Sequence, residues 1–219
     1  MKRRIHAFVT PLGLIAALAL AAPALAGPPL LCHPFEIGAA RSLPWNGSGG
    51  WADGKRDYQI ANLVGDTDAL LTPSTPVLVR METLRRAALY ASHDSQVAKQ
   101  LLTRLLARAD ASEASGRPDA LTLLDAAYLT EAFREITSLS GNREFADRAV
   151  AVRAALGNAD GRALITRSIA ARPDDPAIQF AAALIFADNN RSRYVDHAAK
   201  ARAGAARDPL LALNLTHVQ

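Results

Sequence analysis

The chain has 219 residues, with 25 basic and 21 acidic side chains. Three of the basic ones, Lys2, Arg3 and Arg4, lie in the first 26 residues, so the rest carries 22 against 21, a balance that excludes an electrostatic nucleic-acid footprint. A single cysteine, Cys32, excludes an internal disulfide framework, and the 193 residues after position 26 are enough for one domain burying roughly 70% of its unfolded surface.

The positive start is followed by a short apolar run, Leu12 to Leu20, and by Ala24-Leu25-Ala26, which together make the three parts of a secretory signal peptide. Pro11, Gly13 and Pro23 interrupt the run, which is shorter than the roughly 20 apolar residues a bilayer needs. The expected mature chain therefore begins at Gly27, is periplasmic or secreted, and keeps no membrane span. Lipidation at Cys32 does not fit, because Leu31 stands where the lipoprotein pattern has a small residue. The expected role of Cys32 is a buried, inert side chain; pairing with a second chain and ligand binding are the alternatives.

Residues 27–74 are irregular in composition. From Gly27 to Pro73 there are seven of the thirteen glycines, five of the twelve prolines and both tryptophans. This pattern predicts a loop-rich segment with no long regular element. Leu30, Leu31, Phe35 and Ile37 nevertheless give it apolar surface to dock, and Trp45 and Trp51 flank Asn46-Gly47-Ser48-Gly49-Gly50 as anchors on either side of a turn. The segment is expected to wrap a helical body and cover its groove.

Residues 75–219 read as a helical domain. Thr75-Pro76 predicts a cap and first turn, with Val77, Met81, Leu84 and Ala88 on the inner face and Glu82 and Arg86 paired on the outer side. A helix over 94–108 places Leu101 and Leu105 on one face and leaves Arg104 and Arg108 to solvent. After Pro118, Leu121, Leu124, Tyr128, Phe133 and Ile136 form a wide apolar face that ends near Gly141. Helices are expected over 143–156 and 162–171, joined around Gly157 and Asp160. Asp175-Pro176 opens a segment apolar nearly all round and hence central. A helix over 193–206 then leads to a similar start at Asp208-Pro209.

Asn142, Asp175 and Asp208 recur at 33-residue spacing, with small residues at Ala149, Gly161 and Ser168 and a proline at Pro173. Over 142–219 this resembles tetratricopeptide-like helical repeats, which implies stacked antiparallel hairpins. The Trp, Leu-Gly and Tyr positions of that pattern's first helix are not matched. The fold class is all-α: a repeat-like array of antiparallel hairpins or an Ala-rich bundle, with an irregular N-terminal segment.

Chemistry is sparse. Cys32-His33, joined by Glu36, is the sharpest constellation for an activated thiol or a metal. Adjacent residues of an extended strand, however, point to opposite sides. Asp66 and Asp68 read as turn and cap residues, and Glu131 and Glu135 as a solvated helix face. Tyr90, Tyr128 and Tyr194 suit a groove or the core. The sequons at Asn46 and Asn214 have meaning only in a eukaryotic secretory pathway. No catalytic residue and no cofactor is assigned. The expectation is an exported non-enzymatic module that binds a protein or peptide partner, with an exported enzyme or metal-binding protein using the Cys-His segment as the alternative.

Overall fold

The computed structural model describes residues 27–46 and 50–218. The signal-peptide expectation on 1–26 and the tip of the Trp45–Trp51 turn lie outside them. Nine α-helices and no named strand occur among the described residues: α1 (Leu63–Leu70), α2 (Val77–Ala91), α3 (Ser95–Ala114), α4 (Ala120–Ser138), α5 (Ala146–Leu156), α6 (Gly161–Ala171), α7 (Pro176–Phe186), α8 (Arg191–Gly204) and α9 (Pro209–Asn214). The fold is all-α, as the periodicity predicts.

Most of the starts are set locally. Asp94, Asp119, Asp160, Asp175, Asn190 and Asp208 each accept an amide of the first turn that follows, filling donors that a helix start leaves without partners. The expected cap at Thr75 does not form. Pro76 occupies the cap position, and the Thr75 hydroxyl bonds the Leu70 carbonyl instead. α5 ends at Gly157, whose φ of +50° a Cβ would strain.

α4 is the hub, with α2, α3, α5 and α6 packed around it. α5 and α6 each pack on α4 rather than pairing with one another, whereas α7 and α8 form a close hairpin. One hairpin does not make a repeat array, and the α4-centred part is built as a bundle. Gly204 brings α8 onto Pro176, where a Cβ would overlap the ring. α7 is buried from Ala177 to Phe186, in keeping with a sequence that is apolar except for Gln179. No helix among the described residues is long and apolar enough to cross a membrane.

Residues 27–46 and 50–62 form a strap over this body, and α1 follows it against α2 and α3. Leu30, Leu31, Phe35, Ile37 and Leu43 are buried and join the same core cluster as the helices. The strap closes on itself through an antiparallel bridge between Trp45 and Gly54. Beneath the strap lies α2, so the expected outer side of that helix does not exist: Glu82 is fully buried and Arg86 is half-buried.

Candidate functional site: a groove filled by the strap

An irregular segment has no ladder to pair its amides and carbonyls, yet once buried they need partners. Here the helices supply them from side chains. Glu135 of α4 accepts the Leu30 amide through both oxygens, at 3.1 and 3.0 Å, and the Tyr128 hydroxyl donates to the Leu30 carbonyl at 2.6 Å. Glu82 of α2 accepts the Phe35 amide at 3.0 Å. Asn214, at the end of α9, clamps Glu36 on both sides: it accepts the amide at 2.9 Å and donates to the carbonyl at 2.8 Å. Further along, Arg85 donates to the carbonyls of Leu31 and Trp51, Arg86 to that of Leu43, and Tyr90 to that of Pro44. The Tyr90 hydroxyl also accepts the Lys55 amide at 2.7 Å. Gly54 lies so close to the Tyr90 ring that a Cβ there would overlap it.

The charges that do this work are themselves paired. Glu82 receives Arg85 at 2.7 Å and Arg86 at 2.6 Å, so its carboxylate is matched although no water reaches it. Arg80, lower on α2, meets Asp125 of α4 at 2.6 Å and also donates to the carbonyls of Thr72 and Thr75. Burial pushes the Asp125 carboxyl up to about 6 against the opposing pull of Arg80. Glu135 faces the strap amides without an ion pair. Burial holds its carboxyl well above the usual range, against those amides and with Asp188 and Glu131 adding to the rise.

Of the sequence-nominated residues, Cys32 is half-buried, and its thiol is pushed up to about 11, first by burial and then by Glu135. It is therefore a neutral thiol at ordinary pH, not an activated nucleophile. His33 turns its ring toward His217, with centroids 6.0 Å apart, and Glu36 is exposed with its backbone held by Asn214. No group of three or more His, Cys, Asp or Glu side chains among the described residues is placed to hold a metal, so Cys32, His33 and Glu36 are not gathered into one centre.

The other polar pairs are engaged elsewhere. Asp66 accepts the Tyr58 hydroxyl, and Asp68 pairs with Arg104 and Arg108, which the periodicity left to solvent. Glu131 is buried rather than solvated, with Arg134 and Arg162 near it. Tyr90, Tyr128 and Tyr194 are all buried, and the first two use their hydroxyls on the strap. Asn214, met in the sequence as a sequon, is fully buried. Its clamp on Glu36 spans 178 positions, and no local pattern announces it.

Beside the strap a cleft of about 450 Å³ remains open, lined by Phe35, Ile37, Trp45, Trp51, Glu82 and Arg86 among others. Trp51 stacks on Phe145 at 5.3 Å, and Trp45 stands edge-on to Tyr90 with the Arg85 guanidinium 4.9 Å from its ring centroid. Fold and site together define a class: an all-α body whose groove is clasped by its own N-terminal strap through side-chain contacts to the backbone. The chain matches no family model, no curated protein and no solved structure.

Proposed function

We propose that the protein is an exported, non-enzymatic helical module that binds a protein or peptide partner in the cell envelope. The observation that carries this reading is the strap. An extended polypeptide already lies in the groove, held through its amides and carbonyls by Glu82, Arg85, Arg86, Tyr128, Glu135 and Asn214. Recognition of this kind is indifferent to most of the occupant's side chains, and it suits a surface built to take backbone. The open cleft beside the strap adds two tryptophans and an arginine, residue types that anchor interfaces. A partner segment seated there lies against the strap rather than replacing it.

The test is site-specific photo-crosslinking in the exporting host, with a photoreactive phenylalanine at position 45 or at position 150. Val150 is 64% exposed on α5 and serves as the control. A discrete adduct from position 45 and none from position 150 is the expected result. Adducts from both positions alike, or from neither, would sink the reading, and a chain that is not cleaved before Gly27 would sink the exported address.

A further inference from the structure

We infer that His33 and His217 form a two-imidazole site for a cuprous ion. His33 comes from the strap and His217 from the 3-10 turn Leu215–Val218, and the Asn214 clamp on Glu36 fixes these two pieces of chain against each other. Their rings meet nearly at right angles, 82°, with centroids 6.0 Å apart. Nε2 of His33 and Nδ1 of His217 are both buried and have no hydrogen-bond partner. A buried ring nitrogen left without a partner is costly, and two on neighbouring rings call for a common occupant. Two imidazoles that share one ion at about 2.0 Å per nitrogen have centroids about 5 Å apart at a tetrahedral angle and about 6 Å apart near linearity. The observed spacing falls at the open end of that range.

The surroundings select the ion. The His217 ring packs against Phe35 at 5.0 Å and Phe180 at 6.2 Å, so the walls are aromatic. Glu82, the nearby carboxylate, is spent on Arg85, Arg86 and the Phe35 amide. Cys32 is turned the other way, toward Gly27 and Glu135: a Cβ on Gly27 would come within 2.9 Å of its Sγ. A divalent ion would bring two charges into this wall with only neutral ligands to meet them, which is costly. A monovalent, filled-shell copper ion is content with two nitrogen donors set nearly opposite each other, and imidazole is among its ligands. His33 as a residue is half-buried, so its side of the pair lies nearer the surface than that of His217.

This site is independent of the peptide reading, since the variants that test it leave position 45 untouched. The experiment is an anaerobic titration of the protein purified from its native host with cuprous ion and ascorbate, with bicinchoninate as competing chelator and its copper absorbance as the readout. The wild type is expected to withhold one equivalent. His33→Gln should require at least about tenfold less chelator to be stripped, and Cys32→Ser should behave as the wild type. The half-buried His33 ring keeps this variant informative even if His217→Gln fails to fold, and circular dichroism verifies its fold. X-ray absorption of the loaded protein should show a two-coordinate cuprous edge with nitrogen and no sulfur scatterer. Copper left wholly with the chelator, loss in Cys32→Ser with retention in His33→Gln, or tighter retention of zinc than of copper would each overturn the assignment.

Discussion

Two helices of this protein are buried almost all round, and they achieve it by opposite means. α7 reads Pro-Ala-Ile-Gln-Phe-Ala-Ala-Ala-Leu-Ile-Phe and lies among other helices, whose backbones are already satisfied internally. Apolar side chains meet nearly all that such neighbours require, and the one polar residue, Gln179, is satisfied by His197 and the Pro173 carbonyl. α2 carries Arg80, Glu82, Arg85 and Arg86 in a helix just as hidden, because what covers it is irregular chain. The amides and carbonyls of that cover have no ladder, so the helix beneath must offer charged and polar side chains to meet them. The composition of a buried helix thus reports the kind of structure lying on it.

The comparison is broken most directly by making α2 resemble α7. Buried ion pairs can often be exchanged for apolar residues of similar volume at little cost, or even with a gain. If the Glu82–Arg85–Arg86 triad were only such a pairing, the triple variant Glu82→Met, Arg85→Met, Arg86→Met would be close to neutral. The strap contacts predict otherwise. The variant leaves the Phe35 amide and the carbonyls of Leu31, Trp51 and Leu43 without partners, and it should lose on the order of 5 kcal/mol. Urea unfolding measures the loss, and limited proteolysis should find the strap cut before the helices. Within α7, Ile178→Val should cost only about 1 kcal/mol and leave proteolysis unchanged.

Asp125 sharpens the same contrast from the α4 side. Asp125→Ala leaves Arg80 buried and unpaired, with only the carbonyls of Thr72 and Thr75 to meet it. A loss of about 3–5 kcal/mol is expected in urea unfolding. A loss below about 1 kcal/mol would mean that Arg80 finds water or another acceptor, and that α2 is less tightly covered than its burial implies.

Asn214→Ala probes the strap at the point where a single neutral side chain holds both backbone groups of Glu36. The variant should lose about 1–3 kcal/mol. Asn214→Asp keeps an acceptor for the Glu36 amide but faces the carbonyl with a second acceptor, so it should not recover the loss. Equal stability of Asn, Asp and Ala at this position would show the clamp to be incidental.

What could be read from the sequence follows the same division. Asp175-Pro176 and Asp208-Pro209 act within one turn of themselves, and both cap as their spacing implies. The apolar run of α7 and the docking of Leu30, Phe35 and Ile37 also follow from composition alone. Glu82 and Arg86 are four apart, the usual signature of a solvated face, and nothing local shows that residues some 40 positions earlier lie over them. Glu135 has the same history: its helical spacing from Glu131 suggests an outward face, while its true partner, the Leu30 amide, is 105 positions away. His33 stands out in the sequence beside Cys32 and Glu36, which are its local companions. The ring it meets is His217, which only the closure of strap onto C-terminus brings near.

Glu135 gives the effect most specific to a strap held by backbone contacts. In the unfolded chain its carboxyl ionises near the ordinary value of 4.5, whereas in the folded protein burial raises it well above that. The folded state therefore holds its proton to higher pH than the unfolded state does, and the stability tied to this group is present below 4.5 and lost as pH rises through the raised value. Glu135→Gln keeps an oxygen for the Leu30 amide and removes the titration. Urea midpoints of the two proteins should run parallel in acid and then diverge, the wild type falling relative to the Gln variant as the pH rises above 4.5. If the curves stay parallel throughout, Glu135 ionises as freely in the folded chain as outside it. The first turn of the strap would then stand open to water, in contrast to the closed cover over α2.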